Sequence, residues 1–165
     1  MLRKTFLSIA MAASVASIPA ASQNAEYELV KVITERQGLM FDMQTAYWTV
    51  FNVNSGKETD LAKAAEAAQT INDAIDQFVQ LLPPGTAHGD VFASRAKPEI
   101  WTEPDEFNGA VSALKSANKS LMESARSGNI DEFKQRFEAV AQACVGCHEL
   151  RPSRGGKFRY EASSM

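Results

Sequence analysis

Two cysteines and a histidine stand close together near the C-terminus, in the pattern Cys144-Val145-Gly146-Cys147-His148. In a C-x-x-C-H pattern, the two thiols can add to the two vinyl groups of one porphyrin, and the histidine can bind its iron. The chain has only two cysteines and two histidines, so a chance match is rare. The motif predicts one covalent haem c, attached at Cys144 and Cys147, with His148 as the proximal axial ligand.

Two other interpretations of the cysteine pair are a zinc half-site and a dithiol redox pair. A structural zinc site needs four ligands, and the only other histidine, His88, lies in a stretch rich in proline and glycine. A thioredoxin-like pair needs a βαβ setting, and no strand-rich stretch surrounds the motif. Both interpretations are weaker than haem attachment.

The N-terminus has the composition of a secretory signal peptide. A positively charged start precedes an apolar run over residues 6–18, and small residues follow at 20–22, which is the order that export and cleavage require. The apolar run is too short to span a bilayer as a stable anchor, which disfavours the alternative of a retained N-terminal anchor. We expect residues 1–22 to be removed and residues 23–165 to form one periplasmic domain without a stable membrane anchor.

The charge balance excludes nucleic acid as a partner. Loss of the signal peptide removes Arg3 and Lys4 and no acid, so 17 basic residues become 15 against 20 acidic ones, a net charge of −5. A mildly acidic chain lacks the basic surface that binds phosphate backbones.

Four segments with apolar residues at heptad spacing must position the motif. They cover roughly residues 25–53, 59–82, 104–127 and 130–150, and such spacing is typical of amphipathic helices. Short connections after the first and third segments make neighbours antiparallel, which predicts an all-α, up-down-up-down four-helix bundle. Both cysteines fall on the inward seam of the last segment, so haem c would be attached to the C-terminal helix, inside the bundle.

One charged residue, Arg36, breaks the apolar seam of the first helix. A charge on an inward seam is rare unless it is paired, and a haem propionate would supply a charge-assisted partner. The alternative is an arginine that extends out of the end of the bundle. The long loop 83–103 offers Ile100 and Trp101 as apolar anchors, either to cover one edge of the cofactor or only to pin the loop.

Three features of the sequence resemble the cytochrome c′ family. The haem motif lies on the last helix, the segment 36–40 (R-Q-G-L-M) resembles the family's R-Q-x-x-M/L, and the segment 97–101 (K-P-E-I-W) resembles its K/R-P-E-I-W. The resemblance covers essentially the whole chain after the signal peptide. It implies that His148 binds the iron, that Arg36 contacts a propionate, and that Met40 lies on the distal side of the ring.

The resemblance leaves two arrangements open on the distal side. In five-coordinate relatives the iron stays open to NO or CO, whereas in low-spin relatives a methionine of the first helix binds it. Met40 is therefore a possible distal axial ligand, and core packing is its alternative. Met43, one turn further along, is a weaker haem contact, and His88 could reach the iron only if its loop folded over the distal face.

The sequence departs from the family pattern after the motif. The family reads C-H-x-x-Y/F-R, whereas here Arg151 arrives one position early and Pro152 ends the helix. Arg151 is the candidate for the basic residue near the proximal histidine. Arg154 and Arg159, in a tail that begins at about residue 151, are the alternatives.

The first helix is apolar beyond its inward seam, with Phe41, Trp48 and Phe51 on one flank. A helix that is apolar most of the way round favours burial on two sides, and the resemblance implies a homodimer formed through the first two helices. The alternative is a broad core stripe with loop cover.

Three functions follow from these residues, in order of preference. The first is an electron carrier that passes single electrons to soluble or membrane-bound periplasmic redox partners, which needs no acid, base or nucleophile. The second is a five-coordinate haem protein that binds NO or CO for sequestration or sensing. The third, an enzyme such as a peroxidase, requires a distal histidine or arginine to help break the O–O bond, and no distal histidine is evident on the first helix.

Overall fold

Four long helices and one short helix make up the structure, a computed structural model that describes residues 20–148 and 156–160, with side chains from residue 24 onward. The helices are α1 Ala20–Asn54, α2 Leu61–Gln80, α3 Glu99–Thr102, α4 Pro104–Arg126 and α5 Ile130–Cys147. The long helices form the predicted antiparallel up-down-up-down bundle. α2 packs against α1 and α4, α4 packs against α5, and α1 and α5 meet less extensively.

The heptad positions of the four segments turn inward, as predicted. Ile33 and Val50 of α1, Leu121 of α4, and Phe133 and Val140 of α5 are all essentially inaccessible to solvent. Burial of each such side chain contributes roughly 1.5–3 kcal/mol to the free energy of folding. One continuous apolar core therefore fixes the relative positions of α1 and α5, the two helices that carry the predicted haem residues.

Side-chain caps and one glycine set the helix limits. At the start of α2 the carboxylate of Asp60 accepts a hydrogen bond from the Lys63 N–H at 3.0 Å. At the start of α5 the Asn129 side chain accepts from the Glu132 N–H at 3.1 Å. Between α4 and α5, Gly128 has a φ of 77°, a conformation that favours glycine after a helix end. These caps satisfy N–H groups that would otherwise lack partners.

The ends of α1 and α5 differ from the predicted limits. α1 begins at Ala20 rather than near residue 25, and α5 ends at Cys147 rather than near residue 150. His148 has extended backbone angles, φ −115° and ψ 114°, so it follows the helix instead of continuing it. Gly146, a poor helix former, lies in the last turn. The prediction that His148 is part of the helix is therefore wrong.

The connection from α2 to α4 contains the short helix α3, which the prediction of a continuous loop over residues 83–103 missed. Ile100 of α3 is buried, and the indole N–H of half-buried Trp101 donates to the Leu82 carbonyl at 3.0 Å. These two side chains pin the connection against the bundle. The rest of the connection folds back as turns, and its buried Thr86 and Ser94 face α1.

The predicted signal peptide is only partly within the described residues. Residues 1–19 lie outside them, and residues 20–22 form the start of α1, so the expected cleavage stays a prediction. Within the described part of the chain, no helix is long and apolar enough to cross a membrane.

Candidate haem site

A cavity of about 390 Å³ lies at the end of the bundle where α2 ends and α4 begins. Its wall brings together side chains that are distant in sequence: Arg36 and Met40 from α1 and Cys147 and His148 from the end of α5. Most of the remaining wall is apolar, with Ile33, Ile75, Phe78, Ile100, Phe107, Val111, Leu114 and Phe158. A mainly apolar cavity with a few converging polar groups is typical of a cofactor site.

The two cysteines are half-buried, unpaired thiols on the last turn and a half of α5. Burial raises the pKa of the Cys144 thiol, and burial together with the charge of Cys144 raises the pKa of Cys147 to about 11. Both are neutral thiols at pH 7, whereas a redox-active dithiol needs a lowered pKa. Among the described residues, no group of three His, Cys, Asp or Glu side chains could hold a metal ion. The raised pKa values weigh against the dithiol interpretation.

His148 lies directly beyond α5, where its N–H donates to the Cys144 carbonyl at 3.0 Å. The Nδ1 atom of His148 lies 3.4 Å from Nη1 of Arg159. Since a guanidinium only donates, this hydrogen bond requires Nδ1 to be the acceptor and Nε2 to carry the hydrogen. Iron ligation through Nε2 requires the opposite tautomer, so iron at Nε2 and the Arg159 hydrogen bond at Nδ1 compete.

Arg36 is held inside the protein by the α2–α4 connection. Its guanidinium donates to the Thr86 carbonyl at 3.0 Å, to Thr86 Oγ1 at 3.2 Å and to Ser94 Oγ at 3.5 Å. Only 4% of the residue is exposed, so the alternative of an arginine extending to solvent is wrong. Burial lowers the pKa of its guanidinium below the ordinary value. The hydrogen-bond acceptors found for it in the described structure are all neutral oxygens, which leaves its charge available to an anion in the cavity.

The remaining predicted haem residues lie elsewhere. Met43 belongs to the buried core, and Trp101 uses its N–H to pin the α2–α4 connection; neither is part of the cavity wall. Met43 lies three positions from Met40 on the same face of α1, but it is packed in the core beyond the cavity wall. His88 also lies outside the wall, with Nδ1 3.0 Å from the Ser94 carbonyl. Arg151 lies outside the described residues, as does its alternative Arg154.

Sequence reasoning missed several residues of the wall. Gln37, Phe41 and Gln44 line the cavity beside Met40. Gln37 and Gln44 lie three and four positions from residues of the inward seam, a spacing that could have identified them. Phe158 also lines the cavity, as does Arg159, the predicted alternative to Arg151 beside the proximal histidine. They arrive from the C-terminal tail, which has no periodicity that would predict where it packs.

The residues at the cavity fit a covalently bound haem. The Cys147 thiol and the His148 imidazole line the wall at the end of α5, and the Met40 thioether and the buried Arg36 cation line it from α1. Cys144, one turn before Cys147 on α5, lies outside the wall and packs against the core. Thioether attachment needs the thiols, axial ligation needs the imidazole, and the cation suits a propionate. The apolar wall suits the faces of a porphyrin.

Comparison with known proteins connects this arrangement to one family. A sequence model described as Cytochrome C′ matches residues 31–150. Cytochrome c-554 of Cereibacter sphaeroides is 27% identical over 143 residues, which cover 86% of this chain and 92% of the relative. Cytochrome c′ of Alcaligenes xylosoxydans xylosoxydans is 32% identical over 66 residues, which cover 40% of this chain and 48% of the relative.

Solved structures share the fold. Cytochrome c′ from Rubrivivax gelatinosus has a TM-score of 0.65 at 24% identity, covering 78% of this chain and 94% of that one. A ferrous variant of cytochrome c prime from Alcaligenes xylosoxidans with bound NO has a TM-score of 0.68 at 19% identity, covering 81% and 96%. A carbon monoxide-bound variant of the same protein has a TM-score of 0.68 at 20% identity, covering 81% and 97%.

Proposed function

Because the chain belongs to the cytochrome c′ family and is a c-type cytochrome, we propose that it is a periplasmic electron carrier with one haem c. In this proposal Cys144 and Cys147 hold the haem covalently and His148 binds its iron. The observation that carries the proposal is the shared cavity wall, which contains Cys147 and His148 together with Met40 of α1. The bound haem supplies the one-electron oxidation and reduction.

The protein's own residues set the conditions for electron transfer. The α5 helix holds both thiols on one side, and the apolar wall excludes water, which tunes the reduction potential of a bound haem. Arg36 lies in the wall with its orientation fixed by Thr86. A guanidinium held in this way would bind a propionate without first having to be ordered.

Met40 is the proposed distal ligand. It is half-buried in the cavity wall on α1, and its thioether is a soft ligand of the kind that raises the potential of a haem. Its neighbours on the wall, Gln37 and Gln44, carry amides that do not transfer protons at neutral pH.

A second candidate function is the binding of NO or CO at a five-coordinate iron. It is favoured by the solved relatives from Alcaligenes xylosoxidans, whose structures include complexes with nitric oxide and with carbon monoxide. In that case Met40 would pack above the ring without binding the iron, and the iron would remain open to a diatomic ligand.

The absorption spectrum of the reduced holoprotein tests the proposal. We expect a low-spin spectrum with a sharp α band, and a mass that includes one covalent haem. Met40→Ala should give a high-spin spectrum that changes on addition of CO. Met43→Ala is the matched control, because this neighbouring methionine lies in the core and not in the cavity wall, and it should stay low-spin.

Two results would overturn parts of the proposal. A low-spin spectrum in Met40→Ala would show that another residue is the distal ligand. A high-spin wild-type protein that binds CO at once would favour the gas-binding function. A chain matured with a working haem-attachment system that still lacks covalent haem would contradict both.

A further inference from the structure

We propose that residues 156–160 form a strap that closes the haem cavity on the side of His148, with Phe158 as the closing residue. The inference rests on the proposed attachment of haem beside His148. It concerns the tail of this chain after the motif, where the sequence departs from the family's usual pattern.

Backbone hydrogen bonds tie the strap to two parts of the protein. The Lys97 N–H donates to the Phe158 carbonyl at 3.0 Å, and the Tyr160 N–H donates to the Arg95 carbonyl at 2.9 Å. These bonds flank an antiparallel bridge between residues 96 and 159. The Phe158 N–H also donates to the Cys147 carbonyl at 3.4 Å. The strap thus spans from the α2–α4 connection to the haem motif itself.

Phe158 occupies the wall of the cavity. It is only 3% exposed, and its ring packs edge-to-face against Phe107 of α4 with the ring centroids 5.3 Å apart. Both rings line the cavity that contains Cys147 and His148. Burial of one phenyl ring contributes several times more free energy than a typical surface contact, so Phe158 is the main anchor of the strap.

Weaker contacts hold the strap residues on either side of Phe158. The Lys157 ammonium pairs with Glu103 at 3.1 Å and also with Glu106, at partly exposed positions where ion pairs contribute little. The Tyr160 ring lies between the Lys97 ammonium and the His88 ring, 4.8 Å from each. These contacts fix the register of the strap, and the ring of Phe158 closes the cavity.

Closure on this side has a consequence for the haem. A covered haem sits in a medium of low dielectric constant, which disfavours the more charged ferric form and raises the reduction potential. Opening the strap should expose the haem and lower the potential.

Hydrogen exchange of the holoprotein tests the closure. In the wild type we expect slow exchange at the backbone amides of Lys97, Phe158 and Tyr160. Phe158→Ala should speed their exchange by about tenfold or more, since tenfold corresponds to about 1.4 kcal/mol and a buried phenyl ring contributes at least that much. Phe158→Leu should restore most of the protection. Phe92→Ala is the control, because Phe92 is fully exposed, at 103%, and should change nothing.

The reduction potential of the same variants gives the second measurement. It should fall in Phe158→Ala and remain near the wild-type value in Phe158→Leu and Phe92→Ala. Unprotected hydrogen exchange at these amides in the wild type would overturn the proposal of a closing strap. An unchanged reduction potential in Phe158→Ala would overturn it as well. The mass of the wild-type protein separates the two proposals: missing covalent haem contradicts the proposed function, whereas intact haem with an unprotected tail contradicts only the strap.

Discussion

At the scale of single residues, the site is defined by groups whose chemistry does not suit an apolar core. Burial and the neighbouring Cys144 raise the pKa of the Cys147 thiol to about 11, which disfavours its charged thiolate form. Arg36 is the opposite case, a charge kept inside the protein at 4% exposure. Three hydrogen bonds to neutral oxygens, two of them on Thr86, offset part of its desolvation.

We expect Arg36 and Thr86 to be energetically coupled. Arg36→Met should lower the free energy of unfolding of the holoprotein by about 1–3 kcal/mol, because Thr86 loses its donor and a propionate would lose its cation. Arg36→Lys should recover little, since an ammonium cannot reproduce the fork of the guanidinium. Urea unfolding of Arg36→Met, Thr86→Val and the double variant measures the coupling, for which we expect about 1 kcal/mol. Strictly additive effects would mean that the two side chains stabilise the fold independently.

At the scale of helices, the turn between α4 and α5 determines where the haem motif lies, because α5 starts only after it. Gly128 in this turn has a φ of 77°, and a Cβ added there would meet nothing within 4 Å. The cost of a side chain at this position therefore comes from the backbone alone. Gly109, inside α4, also has open space for a Cβ but ordinary helical geometry.

These two glycines should respond to alanine with opposite signs. Gly128→Ala should destabilise the protein by about 1–2 kcal/mol, the cost of a left-handed conformation for a residue with a Cβ. Gly109→Ala should stabilise it by roughly 0.5–1 kcal/mol, because alanine loses less backbone entropy in a helix. Thermal unfolding of both holoproteins is the measurement. A loss of stability in both would show that side-chain crowding, not backbone conformation, sets the response.

The sequence was informative where periodicity controls packing and uninformative where single contacts do. Heptad spacing predicted the four long helices and brought Arg36 and Met40 onto the face that lines the cavity. It could not predict α3, whose one turn depends on the seating of Ile100 and Trp101. Nor could it predict that Thr86 and Ser94 would bind Arg36, since that contact joins positions about fifty residues apart through a connection without repeats.

The C-terminal tail shows the same limit more clearly. Backbone hydrogen bonds to the α2–α4 connection hold Phe158 in the cavity wall. The sequence around Phe158 has no pattern that would predict this contact. Trp101 has two predicted roles, to cover an edge of the cofactor or to pin the loop, and its indole N–H donates to the Leu82 carbonyl, which fits the second. Residue type identified which side chains needed a partner, and only the folded chain determined which partner each received.

At the scale of the whole molecule, α1 presents an apolar flank to solvent. Tyr27, Phe41 and Trp48 are 67%, 66% and 53% exposed, and their spacing of seven and fourteen places them along one side of the helix. Exposed aromatic side chains along one side of a helix are more typical of an interface than of a monomer's surface. This arrangement supports the proposal of a homodimer that pairs this flank of α1 with the same flank of a second copy.

The mass of the protein in solution tests the proposed dimer. Sedimentation of the wild-type holoprotein at micromolar concentration should give the mass of two chains. Trp48→Glu should raise the dissociation constant roughly 30-fold or more, because a tryptophan at the centre of an interface commonly contributes 2 kcal/mol or more and a buried carboxylate adds a desolvation cost. Phe92→Glu, which adds the same charge at an exposed aromatic outside α1, should leave the dimer intact. Equal dissociation by both variants would indicate general charge repulsion, and a monomeric wild type would leave the apolar flank of α1 to a different partner.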